Sequence, residues 1–246
     1  MSNSRWLMGQ LLDLVYPRRC GGCGRLGSWL CDDCLAEMVP PSEAGWVCAY
    51  CRRVLIAGGG RLYCPELCDT GGITAVLCAG AYLGPLPKAI HHFKYNRWSV
   101  LGAPLAGLLE EVCVLEPLPW GVERPHLLAV PLHPRRERER GFNQSGLLAA
   151  SLSERLGWPV LTGLERVKHT PQQVGLDAAD REINLADAFA WRAGSPPPAG
   201  PLLIVDDVYT TGVTMNLCAE ALREAGSGPV YGLVLARRDS GDTTGQ

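Results

Sequence analysis

The sequence has no long hydrophobic run, no excess of basic residues and little lysine. No stretch approaches the roughly 20 consecutive apolar residues of a membrane-spanning helix, so we expect no membrane insertion. The formal net charge at pH 7 is −2, whereas non-specific binding to nucleic acid usually needs a clear basic excess. Lysine occurs only at Lys88, Lys94 and Lys168, and arginine supplies the remaining positive charge. This bias fits either a genomic preference or fork-like arginine contacts to phosphate.

The first residues lack the features of an export signal. Apolar residues in segment 1–16 are spaced as in a short amphipathic helix, which Pro17 would end. Gln10 and Asp13 interrupt the apolar face and no small-residue cleavage site follows, so we expect a cytoplasmic protein. At the other end, residues 239–246 are predicted to form a flexible tail.

Cysteine, in contrast, is abundant, and most of the 11 cysteines lie close together near the N-terminus. They form four closely spaced pairs: Cys20 and Cys23, Cys31 and Cys34, Cys48 and Cys51, and Cys64 and Cys68. A two-residue spacer lets both thiolates of a turn bind one tetrahedral ion, and two such pairs complete a four-sulfur zinc site. In a chain without an export signal this pattern favours metal over disulfides. An iron–sulfur or redox role is the alternative.

Residues 17–72 are therefore predicted to form a cysteine-rich module with two structural zinc ions. The segment has too little aliphatic periodicity to bury a core of its own, and metal binding would supply the missing folding free energy. Pairing in chain order would give one site to the first four cysteines and one to the last four, but the spacing leaves an interleaved pairing open. The three later cysteines stand among apolar residues and are expected to be buried.

The cysteine-rich module is not basic. Its six arginines are balanced by six acidic residues, so it lacks the basic stripe of most nucleic-acid-binding modules. Aromatic residues that could either stack on bases or cover the small core are Trp29, Trp46, Tyr50 and Tyr63. A contact between this module and DNA or RNA stays open.

From residue 73 the sequence alternates between strand and helix patterns. Strands are predicted at 73–84, 126–132, 201–208 and 230–237, and helices at 99–112, 143–157 and 213–226. This order indicates an α/β domain, spanning 73–238, with a parallel sheet between helices. The continuous apolar run of the third strand is typical of a strand buried on both faces.

One stretch of this domain, "LLIVDDVYTTGVT" at 202–214, concentrates polar groups at the end of a buried strand. In parallel sheets, ligands bind beyond the carboxyl ends of the strands, which is where Asp206 and Asp207 emerge. The turn that follows leads into a helix N-terminus, where backbone N–H groups and threonine hydroxyls can hold a phosphate. Gly212 would provide the backbone freedom that this turn needs. A phosphorylated ribose fits acids at one end and phosphate donors at the other.

Two other interpretations explain this stretch less completely. An apolar strand ending in acids also occurs in P-loop NTPases, but their phosphate loop needs a Gly-Lys dipeptide, and this sequence has none. The stretch could instead be a strand, turn and helix in which Asp207 or Thr210 only caps the helix. A cap would explain one acid or one threonine but not the whole set.

The stretch resembles the signature of type I phosphoribosyltransferases, and the wider pattern resembles the ComF family, including ComFC and GntX-like proteins. Supporting strings are "HHFKYNRW" (91–98), "VPLHPRRERERGFNQSGLLA" (130–149) and "RVKHTPQQVGLDAADREINLADAF" (166–189). The resemblance covers nearly all of 17–238. It implies a parallel-sheet phosphoribosyltransferase fold preceded by a small double zinc ribbon.

The resemblance also implies a ligand, 5-phosphoribosyl 1-pyrophosphate (PRPP) bound with magnesium, and a set of site residues. Asp206 and Asp207 would hold the ribose hydroxyls, and the segment 209–214 would hold the 5′-phosphate through Tyr209, Thr210, Thr211, Gly212, Val213 and Thr214. Leu132 and His133 would meet the diphosphate and its magnesium. The segment 166–184 would close over the substrate. Further candidate contacts are Arg140, Arg166, Lys168 and Arg181.

The resemblance implies three alternatives for function. The protein would bind PRPP and act in DNA uptake during natural competence, alongside DNA-uptake and processing proteins. Alternatively, it would be an active phosphoribosyltransferase in nucleotide or base salvage, whose acceptor no motif identifies. In the third alternative, it would be a competence factor that binds single-stranded DNA without catalysis.

Overall fold

The computed structural model of the 246-residue chain describes residues 17–38, 45–58, 61–68, 72–95, 98–116, 118–121, 123–168 and 188–238. The predicted N-terminal helix and C-terminal tail lie outside these residues. Most of the segment predicted to close over the substrate also lies outside them, because 169–187 is not described.

The strands of the described residues are β1 (Trp46–Cys48), β2 (Ile56–Gly58), β3 (Arg61–Tyr63), β4 (Ala75–Ala81), β5 (His126–Ala129), β6 (Leu164–Arg166), β7 (Phe189–Trp191), β8 (Leu202–Tyr209) and β9 (Val230–Arg237). The helices are α1 (Asp32–Ala36), α2 (Leu86–Tyr95), α3 (Gly102–Leu115), α4 (Pro134–Arg140), α5 (Gln144–Leu156) and α6 (Val213–Glu224). A single 3-10 turn, Ser99–Leu101, leads into α3.

A five-stranded sheet forms the centre of the molecule, in the order β1-β4-β9-β8-β5. Strands β4, β9, β8 and β5 are parallel, and β1 joins one edge in the antiparallel direction. Ala129 at the end of β5 pairs with Val205 in β8. The loop after β5 and the acid pair of β8 therefore emerge side by side at one edge of the sheet.

Helices cover both faces of this sheet. On one face, α3 packs against α5, and α2 joins them through Ile90 and Phe93. On the other face, α6 packs through Met215 and Cys218. Because both faces are covered, the first four residues of β8 are fully buried, which explains their continuous apolar run.

The cysteine-rich module continues the central sheet. Its strand β1 pairs with β4 across the predicted boundary at residue 72. Trp46 in β1 is 4% exposed and packs edge-to-face against Trp120 and Tyr231, with ring centroids 5.5 and 5.7 Å away. This tryptophan therefore belongs to the core and is not available to stack on a base. The division at residue 72 remains a prediction about domains.

The predicted fold class is confirmed: the chain is an α/β protein with a mostly parallel sheet, preceded by cysteine clusters. The four predicted strands and three predicted helices are present, and all but the last strand have shifted ends. In the α/β domain, helix α2, the antiparallel pair β6–β7 and the short helix α4 were not predicted, and neither were α1 and the strands β1 to β3 of the cysteine-rich module. Helix α2 had a signal in the sequence, because Leu86, Ala89, Ile90 and Phe93 have helical spacing and are all buried.

Candidate functional site

The acid pair lies at the carboxyl end of β8, at the edge of the sheet where the loop after β5 also emerges. Asp206 Oδ1 accepts hydrogen bonds from Ser145 Oγ at 2.8 Å and from the backbone N–H of Asp207 at 2.9 Å. Ser145 is buried in the first turn of α5. Asp207 is only 3% exposed. Both carboxylates are thus held by neighbouring elements rather than extended into solvent.

A lysine from α2 pairs with the second acid. Lys94 Nζ lies 2.7 Å from Asp207 Oδ1. Burial works to lower the pKa of Lys94, but the charge of Asp207, the hydrogen bond to it and the charge of Asp206 together raise this pKa. Asp207 Oδ2 is buried and has no hydrogen-bond partner within the described part of the chain. It is an acceptor that a ligand hydroxyl or a metal-bound water could use.

The first acid titrates near neutral pH. Burial, followed by the charge of Asp207, raises the pKa of Asp206 to about 7, although Lys94 and the hydrogen bond from Ser145 act in the opposite direction. The site therefore contains two carboxyl groups, those of Asp206 and Asp207, and one ammonium group, that of Lys94. A cation bound beside them would favour loss of the remaining proton.

The segment 210–214, here called the phosphate turn, connects β8 to α6. Thr210 and Thr211 are exposed, and Gly212 adopts a left-handed conformation with φ of 83° as the N-cap of α6. No side chain of the described residues caps this end, and the first turn contains no acid. The first N–H groups of α6 can therefore donate to an anion, which the helix dipole also favours.

Tyr209, the last residue of β8, packs against the phosphate turn. A Cβ atom at position 212 would collide with the Tyr209 hydroxyl, so only glycine fits there. The hydroxyl donates to the backbone carbonyl of Ala49 at 2.6 Å, and the side chain is 2% exposed. Contact between Tyr209 and a substrate stays a prediction, because the structure places its hydroxyl against the cysteine-rich module.

The loop after β5 contains Leu132 and His133, both half-buried. His133 is the N-cap of α4, and its Nδ1 accepts from the backbone N–H of Arg135 at 3.2 Å. Asn143 caps α5 and donates through Nδ2 to the carbonyl of Val130 at 3.1 Å. Asn143 therefore fastens this loop to the helix whose Ser145 binds the acid pair.

The predicted cationic contacts have different surroundings. Arg140 lies over the ring of Tyr95, with 5.1 Å from Cζ to the centroid. Arg166 lies over the ring of Phe189 at 5.5 Å, and burial, followed by the charge of Arg136, lowers its pKa. Lys168 is exposed, and Arg181 lies outside the described residues.

A cavity of about 540 Å³ lies between the loop after β5 and β6. Leu132, Glu137, Asn143 and Arg166 contribute to its wall. The structure thus brings Leu132 and Arg166, predicted from separate parts of the sequence, to a single cavity.

The eight N-terminal cysteines form two clusters in chain order. The first cluster is Cys20, Cys23, Cys31 and Cys34, and the second is Cys48, Cys51, Cys64 and Cys68. Within each, the four sulfurs lie within 4.8 Å of one another, and all are free thiols. The interleaved pairing that spacing left open is therefore not the one adopted.

Each cluster fits a tetrahedral metal site. Sulfur–sulfur distances of 3.6, 3.6 and 3.4 Å are near the edge of about 3.8 Å that zinc–sulfur bonds of about 2.3 Å require. Burial raises the pKa of the Cys20 thiol, but hydrogen bonds from backbone amides, including that of Cys31, outweigh it and lower the pKa to about 6. Such amides stabilise thiolate, the form that binds metal. The two clusters could each hold one ion.

The sequence patterns did not identify Ser145, Lys94 or Arg52 as residues of the site. Ser145 and Lys94 lie in strings that carried the family resemblance, but nothing in their spacing indicated that they would reach the acid pair. Arg52 follows Cys51 directly and donates to the carbonyl of Thr210 in the phosphate turn. Its role depends on the module folding back onto β8, which local patterns do not reveal.

Within the described residues, no helix has both the length and the apolar character needed to cross a membrane.

Comparison with curated proteins finds relatives over most of the chain. The DNA utilization protein YhgH of Escherichia coli O6:H1 is 31% identical over 229 residues, which cover 85% of this chain and 96% of YhgH. Competence protein F of Haemophilus influenzae is 36% identical over 161 residues, covering 64% of this chain and 70% of the relative. No family model matches the chain.

Among solved structures, the allosteric regulatory enzyme of purine biosynthesis aligns with 55% of this chain at 18% identity and a TM-score of 0.36. The alignment covers only 26% of that enzyme. A likeness at this level carries no argument about function.

Proposed function

The chain belongs to the ComF family of competence proteins, and from this membership we propose that its α/β domain binds PRPP with magnesium. One observation carries the proposal. At the end of β8, two carboxylates are followed directly by a glycine turn and by an uncapped helix N-terminus. Acceptors for ribose hydroxyls and donors for a phosphate therefore stand in the order in which PRPP presents these groups.

In this proposal the phosphate turn holds the 5′-phosphate through its N–H groups and threonine hydroxyls. Asp206 and Asp207 hold the ribose hydroxyls, and the unpartnered Asp207 Oδ2 is the acceptor best placed for one of them. The loop with Leu132 and His133 meets the diphosphate and its magnesium. The remaining candidate contacts are Arg140, Arg166, Lys168 and Arg181.

Lys94 adds a requirement to this scheme. Its ammonium balances the charge of the Asp207 carboxylate, because the two groups are 2.7 Å apart and largely buried. Magnesium supplies positive charge that neutralises the diphosphate. The proposed role of Lys94 is to keep an acid ready for the ribose without occupying both of its oxygens.

If the bound ligand reacts, the chemistry is transfer of the phosphoribosyl group. The bond from the anomeric carbon to the diphosphate breaks while a nucleophilic atom of the acceptor bonds to that carbon, and pyrophosphate leaves. No protein nucleophile is needed, because positioning and charge neutralisation provide the catalysis. We propose that PRPP binding serves DNA uptake or DNA utilisation, as the names of the relatives suggest.

Calorimetric titration of the zinc-loaded protein with PRPP and magnesium tests this function. We expect saturable binding that is lost, by at least about tenfold, in Asp206→Asn plus Asp207→Asn, because amides keep the shape but not the charge. The matched control is Asp32→Asn plus Asp33→Asn, an exposed acid pair in α1. Equal binding by both double variants, or no binding by the wild type, would exclude the proposal.

A second candidate function, binding of single-stranded DNA, is favoured by one surface. A row of rings and cations runs along α2, with neighbouring contacts of 4.7 to 6.3 Å: Trp29, Trp98, His92, His91, Tyr95 and Arg140. Tyr95 is 55% exposed, and α2 carries the exposed Lys88 and two histidines but no acid. Stacked rings beside positive charge are the usual platform for unpaired bases.

Fluorescence anisotropy with a labelled oligothymidylate tests this second function. We expect affinity that falls as salt increases and that drops several-fold in His91→Ala plus Tyr95→Ala. Leu115→Ala, which removes an exposed apolar residue at the end of α3, is the control. Affinity that is independent of salt and unaffected by loss of the two rings would argue against it.

A further inference from the structure

The turn that contains Cys48 and Cys51 of the second cysteine cluster contacts the end of β8 and the phosphate turn. The Tyr209 hydroxyl, buried under the turn, donates to the carbonyl of Ala49 between Cys48 and Cys51. The Arg52 guanidinium donates to the carbonyl of Thr210 and to that of Arg238, the latter at 3.4 Å. Its Cζ atom also lies 6.0 Å from the centre of the Tyr209 ring. Two residues of one cysteine turn therefore hold both ends of the strand–turn junction.

The conformation of this cysteine turn sets the position of both groups. The backbone N–H of Arg52 donates to the Cys48 carbonyl at 2.9 Å, which closes the turn around the cysteine pair. Arg52 itself has φ of 63°, a left-handed conformation that is uncommon for a residue with a side chain. Such a conformation persists only where the surroundings impose it. Binding of one metal ion by Cys48 and Cys51 would impose it.

The phosphate turn depends on outside support. Its glycine lies against the Tyr209 ring, two of its three threonines (Thr210 and Thr211) are exposed, and no side chain of the described residues caps α6. Hydrogen bonds that fix the carbonyl of Thr210 hold the peptide groups of the turn in one orientation. A turn whose N–H groups are already oriented binds an anion without a further ordering cost.

We propose that the Cys48–Cys51 turn is the rigid support of the phosphate turn, and that Arg52 is a positioning residue for phosphate binding. Metal binding at the second cluster and anion binding at the phosphate turn are then linked. Because such linkage is reciprocal, an anion at the turn raises the affinity of the second cluster for its metal by the same factor. The anion part of this inference rests on the proposed function, whereas the support of the turn does not.

Hydrogen–deuterium exchange of the ligand-free, zinc-loaded full chain tests the support. We expect the amides of 209–214 to exchange at least about tenfold faster in Arg52→Ala and in Cys51→Ser than in the wild type. Arg52→Lys, which can donate to one carbonyl but not to both, should exchange at an intermediate rate. Arg53→Ala is the matched control, since the neighbouring Arg53 is exposed and pairs with Glu66 at 3.0 Å. It should exchange like the wild type.

Two results would overturn the inference. One is unchanged exchange of 209–214 in Arg52→Ala, and the other is equally fast exchange in Arg53→Ala. Since Cys51→Ser can unfold the module, Arg52→Ala alone decides the matter, with exchange in β9 as the check that the sheet is intact. A parallel titration with PRPP should show weaker binding in Arg52→Ala but not in Arg53→Ala. If the wild type binds no PRPP but its turn loosens in Arg52→Ala, the proposed function fails while the support stands.

Discussion

The acid pair and the phosphate turn are neighbours in sequence, yet different parts of the chain hold them. Asp206 and Asp207 are held from the helical layer, through Ser145 of α5 and Lys94 of α2. The phosphate turn is held from the cysteine-rich module, through Ala49 and the arginine that follows Cys51. A single ligand across both regions would therefore connect the helical layer to the cysteine module.

The two regions also differ in the property on which their stability depends. The acid pair gathers two carboxylates and one ammonium in a largely buried place, so its stability depends on charge. The phosphate turn has no charged side chain, but Gly212 is packed against Tyr209, so its stability depends on size. We expect the acid pair to respond to pH and to loss of charge, and the phosphate turn to respond to added volume.

Lys94→Met should have the largest effect on stability. It removes the only cation that pairs with Asp207 among the described residues and leaves a buried acid uncompensated. We expect the free energy of unfolding to fall by about 3 kcal/mol at pH 8. The loss should shrink at pH 5, because Asp206 takes up a proton there: burial, followed by the charge of Asp207, raises the pKa of Asp206 to about 7. Urea denaturation at both pH values measures this, with the exposed Lys88→Met on the same helix as control.

Because different parts of the chain hold the two regions, we expect Lys94→Met to leave the phosphate turn intact. Amide exchange of 210–214 should therefore match the wild type in this variant. Faster exchange in the turn would show that the helical layer supports both regions, and that the distinction between them is wrong.

Gly212→Ala should have the next largest effect, confined to the phosphate turn. The added Cβ meets the Tyr209 hydroxyl, and φ of 83° is unfavourable for alanine. We expect a loss of about 2 kcal/mol and weaker phosphate binding. Thermal unfolding and titration with PRPP measure the two effects. Gly146→Ala is a suitable control, because its new Cβ would meet only ordinary contacts at 3.5 Å and beyond. A similar loss in both variants would contradict a size limit specific to the turn.

The sequence predicted the second region better than the first. Strand β8, the turn and α6 are contiguous, so their pattern alone indicated an anion site, and the structure places Gly212 as the N-cap. The partners of the acid pair come from α2 and α5, and a distance between Lys94 and Asp207 depends on how the helices pack. Local patterns carry no information on such packing.

The cysteine module shows the same limit. Spacing predicted eight metal-binding cysteines, and chain-order pairing follows from the structure. That β1 would extend the sheet required the pairing of Trp46 with Leu77 in β4. That Arg52 would reach Thr210 required a contact between residues 158 positions apart. Contacts of such long range are set by the tertiary fold and not by residue preference.

The acid pair should make stability depend on pH, whereas the phosphate turn should not. Burial, followed by the charge of Asp207, raises the pKa of Asp206 from 3.8 to about 7. Between these values the folded state binds more protons than the unfolded chain, so the free energy of unfolding falls as pH rises, and this fall ends above pH 7.

Asp206→Asn removes this fall while its amide oxygen still accepts from Ser145. We expect the variant to gain free energy of unfolding relative to the wild type as pH rises from 4 to 7. Thr210→Ala, in the phosphate turn, should run parallel to the wild type at every pH in urea denaturation. Parallel curves for Asp206→Asn and the wild type would mean that charge does not determine the stability of the acid pair. Only the size limit at Gly212 would then distinguish the two regions.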